Sequence, residues 1–351
     1  MPGGKHRNTS PDACLVAGDL LLLRHRLPLE IIVKVFRFHL PPNNASFRKQ
    51  FRKEFAVLDA IRARQYTSHE AILRAINNRE RVGVIKLLID RGADVNAYDR
   101  DYLETALMRA AANGNHEIAE LLLHHGARTD PTNSQHETAL LLSISHAHYE
   151  TTLLLLQHGA FVNAKNELHE TPLIIACYAG IVKIVERLLH YGADISVADD
   201  HGCTALMVAA KKGRNDIVDL LLRHGATDED RDNEGRTALM LTATESHHHS
   251  VDVARQLMES GSPIEALDRY GQTALIIAAS KGDQQSGIVQ SLLKRKSNAN
   301  VVDSESRTAL MRAVSAGSYK VTSMLLNYGA AVNVTTRKNE TALSIAYSRG
   351  L

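Results

Sequence analysis

Two kinds of apolar block alternate along the chain, separated by polar stretches. The segment from Asp199 to Ala226 shows the pattern once through. Thr204 precedes a first block, Leu206, Val208, Ala209 and Ala210, whose spacing puts the apolar residues on one face of a short helix. Lys211, Lys212 and Gly213 interrupt it. A second block, Ile217, Val218, Leu220, Leu221 and Leu222, follows Asp216 and ends in Arg223-His224-Gly225. The Thr hydroxyl suits a helix N-cap, since it accepts from first-turn N–H groups that have no partner within the helix. Ala205, or Pro172 in the preceding copy, takes the first helical position, where proline is tolerated. An acidic residue near the second helix's start and cations near its end complement the helix dipole, and Gly225 supplies a left-handed stop. The pattern predicts helix, turn, helix, then a polar finger such as residues 193–199 projecting outward.

That unit recurs. Thr-(Ala/Pro)-Leu stands at Thr105, Thr138, Thr171, Thr204, Thr237, Thr273, Thr308 and Thr341, at steps of 33, 33, 33, 33, 36, 35 and 33 residues. A Leu-Leu-x-x-x-Gly-Ala phrase follows in phase. A fixed period of this size means a stack in which each unit covers its neighbour's apolar face. About nine units are expected over residues 66–351. The first, near 69–99, has Ala71-Ile72-Leu73 in place of the Thr phrase but keeps LLIDRGADVN at 87–96, and residues 27–65 are expected to cover its degenerate start. The ninth reaches Leu351 after one helix, so either a half-unit caps the stack or the chain is shortened. The longer steps put insertions between the helices of units six and seven, around TESHHHSVD (244–252) and GDQQSGI (282–288). Lys296 stands where the helix-ending glycine is expected, and a left-handed lysine there costs on the order of 1 kcal/mol.

These phrases resemble the ankyrin repeat. In the fifth unit the matching residues are Asp199, Gly202, Thr204, Ala205, Leu206, Ala209, Ala210, Gly213, Leu221, Leu222, Gly225 and Ala226, and the resemblance covers residues 69–351. It implies an all-α ankyrin-repeat solenoid of helix-turn-helix units with β-turn or hairpin fingers, curved to present a concave face. It also implies a non-catalytic protein–protein interaction module. Where the family usually has a His bridging neighbouring fingers, this chain has Met108, Leu141, Ile174, Met207, Met240, Ile276, Met311 and Ser344, so apolar contact is expected to hold the finger spacing. The family's contact positions, finger residues and first-helix ends, carry over to Tyr102, Glu104, Asn113, Leu168, Tyr178, Asp200, His201, Lys211, Lys212, Tyr270 and Lys281. Tyr102, Leu168, Tyr178, His201 and Tyr270 are the expected anchors, because aromatic side chains concentrate binding energy. The plainer reading makes some of them solvated finger tips. Asn96, Asn163, Asn300 and Asn333 lie in a loop where the family's asparagines can be hydroxylated, against which stands a structural role in capping the loop.

Ahead of the array, residues 1–26 read as a largely disordered tail and 27–65 as a helical segment. Leu27, Pro28, Glu30, Ile31, Ile32, Val35, Phe36 and Leu40 resemble the first half of an F-box, which implies docking onto the adaptor subunit of a cullin-type ubiquitin ligase. The second half of that motif is replaced by NASFRKQFRKEFAVLDAIRARQ, and the alternative is an amphipathic helix packed on the start of the stack. Phe47, Phe51, Phe55 and Leu58 form an apolar stripe opposite Arg48, Lys49, Arg52 and Lys53. A core stripe with a solvated basic face accounts for it without nucleic acid or membrane.

Composition narrows the picture further. Residues 1–65 carry a net charge of +7 and the remainder −5, so the array is mildly acidic. Three cysteines, Cys14, Cys177 and Cys203, form neither a disulfide framework nor a metal-ligand spacing, and a reducing cytoplasmic or nuclear compartment is expected. CLVAGDLLLL (14–23) is too short for a membrane helix and lacks a signal-cleavage site. No phosphate loop, nucleophile elbow or metalloprotease motif is present, and His247-His248-His249 lacks a companion ligand group. The expectation is no catalysis, no cofactor, no metal and no small-molecule substrate, with a protein partner of unspecified identity.

Overall fold

The structure, a computed structural model, describes residues 68–77, 82–90, 92–245 and 249–350. The tail, the F-box-like residues, the phenylalanine stripe, the expected cover over the first unit, Cys14, His247 and His248 lie outside the described residues. What is described belongs to one unit, Tyr66–Leu351.

Within it, helices come in pairs: α1 (Ser68–Asn77) with α2 (Val82–Asp90), α3 (Ala106–Ala112) with α4 (His116–His124), and α5 (Ala139–Ser145) with α6 (Tyr149–Gln157). Next come α7 (Pro172–Ala179) with α8 (Val182–His190), α9 (Ala205–Lys211) with α10 (Asn215–Arg223), and α11 (Ala238–Thr242) with α12 (Ser250–Ser260). The series ends with α13 (Ala274–Ser280) and α14 (Ser286–Lys294), α15 (Ala309–Ser315) and α16 (Tyr319–Asn327), then α17 (Ala342–Ser348). Each first helix packs on its own second helix and on the neighbouring first helices, while second helices form a parallel outer layer. This is an all-α solenoid. Among the described residues the fingers hold no strand, and their pairing is reduced to the isolated bridges Tyr98–Thr105 and Ala198–Thr204.

The inner layer is thin because its residues are small. Leu107, Leu140, Leu173, Leu206, Leu239, Leu275 and Leu310, one per unit, are fully buried, and so are the alanine pairs 209–210 and 278–279. Cys177 takes an alanine place in that layer; burial raises its thiol pKa well above the usual range, as befits a packing residue.

Seven of the eight cap threonines accept from the N–H of the third helical residue, at 3.2 to 3.4 Å. Thr204 is the exception. Its backbone is in the cap conformation and its carbonyl starts the helix by accepting from Val208, but its buried hydroxyl has no partner. Nothing in the structure explains the difference. At the far end of the unit Gly225 is left-handed at φ 88°, and Lys296 adopts the same hand at φ 63°. The insertion in unit seven folds as a 3-10 turn, Gly282–Gln285, between α13 and α14.

Candidate functional site

Each finger is a tight turn organised by one short polar side chain. In the fifth unit Asp199 accepts from the N–H groups of His201 and Cys203 through one carboxylate oxygen, both at 2.8 Å. Asn133, Asn166, Asp232, Asp268 and Asp303 do the same from the matching position, and Thr336 does so with its hydroxyl. Asp99 serves unit two, bonding to Tyr102 and Glu104. Short Asx and Ser/Thr side chains bend a chain back on itself by offering it a local acceptor. Two of these turns receive an arginine from their own first helix: Arg109 meets Asp99 and Glu104, and Arg312 meets Asp303 and Glu305.

The turns are joined into a ladder. The N–H of Ser134 donates to the carbonyl of Tyr102, Glu167 to Gln135, Asp200 to Leu168, Asn233 to His201, Arg269 to Glu234 and Ser304 to Tyr270, at 2.8 to 3.1 Å. All six acceptors lie three residues before the cap threonine of their unit. This corrects the expectation that apolar contact sets the finger spacing. The residues at the bridging-His position, from Met108 to Met311, are buried in the helical layer, and the fingers are tied directly, backbone to backbone. A carbonyl is available whatever the side chain, so no special residue is needed.

Four of the five expected anchors, Tyr102, Leu168, His201 and Tyr270, are exposed finger tips whose carbonyls all supply the ladder and whose side chains make no hydrogen bond or ion pair among the described residues. Tyr102 is 62% exposed and Leu168 57%. The fifth, Tyr178, is 58% exposed but lies under the Lys212 ammonium, 4.8 Å from its ring centroid. Asn113 and Lys281 are exposed. Asp200 meets the His169 imidazole at 2.6 Å. Glu104 is half-buried and engaged with Arg109 at 3.0 Å, which makes it part of the finger's own frame. Lys211 and Lys212 both reach Glu245, at 3.5 and 3.3 Å.

Gln135 and Glu234, also among the contact positions that the resemblance carries over, complete the row of ladder carbonyls, and Glu245, which sequence reasoning missed, holds two lysines. The signal for the first two was positional, three residues before each Thr; for Glu245 none was visible, because its partners sit 33 and 34 residues away.

Elsewhere the structure redistributes roles. Asn96 accepts from the N–H of Arg128, Asn163 from Asp194 and Asn300 from Ala331, so these asparagines tie their loop to the following unit's loop rather than capping their own. His124, His158 and His224 each donate from Nδ1 to the carbonyl four residues back, satisfying an end-of-helix acceptor. Cys203 sits under a finger, where burial and then the Asp199 and Asp232 charges push its thiol up to about 11. Among the described residues no His, Cys, Asp or Glu group could hold a metal, and no helix is long and apolar enough to cross a membrane.

Paired helices stacked at a constant period, with a hydrogen-bonded ladder of polar fingers, define a helical-repeat scaffold. Family comparison agrees: the family model for ankyrin repeats in three copies matches residues 69–166, 164–233, 224–294 and 283–351. The chain belongs to the ankyrin-repeat family, and its repeats make it a protein–protein interaction module of a generally non-catalytic kind. It is similar to ankyrin repeat protein R664 of Acanthamoeba polyphaga mimivirus, 58% identical over 43 residues, 12% of this chain and 26% of that protein. It is also similar to the nuclear factor NF-kappa-B p105 subunit of Gallus gallus, 31% identical over 99 residues, 27% of this chain and 10% of that protein. The matched segments thus span about a quarter or less of either relative's length.

Proposed function

We propose that the protein holds a protein partner against the face made by its finger tips and first-helix ends, the concave face of ankyrin stacks. The observation that carries this reading is the ladder. It fixes Tyr102, Leu168, His201 and Tyr270 in place through their carbonyls and leaves their side chains without a structural task. Rigid, preorganised aromatic side chains are good anchors, since little conformational freedom is lost on binding. Tyr102→Ala combined with Tyr270→Ala is expected to reduce capture of cellular partners by at least about tenfold, a loss of roughly 1.4 kcal/mol, with the melting curve unchanged. Capture at the wild-type level would remove the face from consideration. The buried thiols Cys177 and Cys203 support placing the protein in the cytoplasm or nucleus.

A second reading rests on Leu27, Pro28, Glu30, Ile31, Ile32, Val35, Phe36 and Leu40. In it, residues 27–65 form a segment separate from the array, which docks on a ligase adaptor while the array holds the substrate. The alternative is a plain tether with no ubiquitin link. Co-purification of adaptor and cullin with the full chain, lost on Leu27→Ala with Pro28→Ala, is the result this reading expects. Their absence from the intact chain's complexes leaves the tether.

A further inference from the structure

The residue eight positions after each cap threonine forms a row along the first-helix ends: Asn113, His146, Ala179, Lys212, Glu245, Lys281, Ala316 and Arg349. Adjacent packed helices bring neighbouring members of such a row within roughly 8–10 Å of one another. Over units five to seven the row reads Lys212, Glu245, Lys281, and Lys211 flanks it. Lys211 and Lys212 share the one carboxylate of Glu245, at 3.5 and 3.3 Å. Lys281 is exposed, without an ion pair among the described residues. Two ammonium groups therefore share a single carboxylate, and Lys281 stands at the next position of the row, on an array that is acidic overall. Asp283, the next carboxylate along, accepts from the Ser318 hydroxyl.

The arrangement is held from both sides. The Lys212 ammonium rests over the Tyr178 ring, 4.8 Å from its centroid, an attraction that keeps a cation in place without neutralising it. Beneath, Gln285 is fully buried and donates from Nε2 to the backbone carbonyl of Glu245 at 2.8 Å. The insertions of units six and seven thus meet each other, and their contact places Glu245 between the lysines.

We propose that this patch is the docking site for an acidic, extended segment of a protein partner, and that Glu245 occupies the position of one of that partner's carboxylates. The inference rests on the finger-and-helix-end face being the binding face. The lysines are preorganised by Tyr178 and Glu245, so a partner carboxylate meets donors already in position. The aromatic tips of the adjoining fingers cover the apolar side chains of the same segment. Glu245 sets a threshold: it keeps the lysines ordered in the free protein and competes with weakly charged ligands.

The test uses the full chain and a fluorescein-labelled dodecapeptide of alternating glutamate and glycine, followed by anisotropy at low and physiological salt. The glutamate peptide is expected to bind and its lysine–glycine counterpart not to. Lys211→Glu with Lys212→Glu is expected to weaken binding at least about tenfold, and Lys281→Glu, on an exposed side chain, about threefold. Glu245→Gln is expected to tighten it severalfold. Equal binding of the lysine peptide, no response to the lysine substitutions, or looser binding in Glu245→Gln overturns the proposal. So does lysine-dependent binding of oligothymidylate or phosphatidylserine vesicles as tight as that of the peptide, which would make the patch a general polyanion surface. If the lysine variants leave peptide binding intact while Tyr102→Ala with Tyr270→Ala abolishes partner capture, the acidic-segment inference falls and the binding face stands; if capture also survives, both fall.

Discussion

The two edges of the stack solve the same problem differently. Along the finger edge a backbone bond joins each unit to the next, in a register that runs unbroken from unit two to unit eight, and side chains such as His169 on Asp200 and Asn233 on the Asp200 carbonyl add to it only in places. The insertions of units six and seven leave it untouched, because they fall between helices. Along the helix-end edge those same units are joined by particular side chains: Lys211 and Lys212 to Glu245, Gln285 to the Glu245 carbonyl, Asp283 to Ser318. Gly287 is part of this fit, since a Cβ there would lie 2.7 Å from Val251. An edge built from backbone tolerates any residue at its tips. An edge built from named side chains depends on those residues, here Lys211, Lys212, Glu245 and Gln285.

Substitutions can break that contrast. The largest effect is expected at a finger's organising side chain. Asp232 is buried, accepts two N–H bonds and pairs with Arg236 at 2.7 Å, so Asp232→Ala should cost about 3 kcal/mol, read as local loss of hydrogen-exchange protection in units five to seven. Asp232→Asn should cost far less, since Asn133 and Asn166 make the same turn. Equal damage from both would mean that the ion pair, rather than the turn, holds the finger. On the other edge, Gln285→Ala removes the shorter of two donors to the Glu245 carbonyl, which Ser250 Oγ also meets at 3.4 Å, and should cost about 1 kcal/mol, with protection lost around the inserts and the finger amides unaffected. Spread of that loss to the ladder would show that the edges are not independent. Smaller still, Lys296→Gly should raise stability by up to about 1 kcal/mol by relieving the left-handed lysine. Cys177 and Cys203 should resist iodoacetamide at mildly alkaline pH, because burial raises both thiol pKa values and so lowers the thiolate fraction. Rapid labelling of Cys177 in the native protein would contradict the close packing of the inner layer, and of Cys203 the burial of the finger's base.

The repeat was legible because its causes are local. Thr, then Ala or Pro, then Leu states a helix start within three residues, and glycines such as Gly225 state a stop. Lys296 could even be read as a left-handed exception. The face was legible only as positions. That Tyr102 and Tyr270 project while their carbonyls bond outward depends on the next finger, and the pairing of Lys212 with Glu245 spans a whole unit. Glu104 shows the limit most clearly: by position it is a contact residue, yet Arg109, five residues on, claims it for the finger's frame. Thr204, the most typical cap by sequence, is the one whose hydroxyl makes no cap bond.

The central claim is that the ladder carries the structure while its side chains carry the function. It is tested by replacing the six ladder-carbonyl residues, Tyr102, Gln135, Leu168, His201, Glu234 and Tyr270, with alanine in one protein, then measuring its melting temperature and its partner capture. Six near-surface truncations that leave every backbone bond in place should shift the melting temperature by less than about 3 °C and abolish capture. A variant that unfolds, or one that melts normally and still captures its partners, would contradict it.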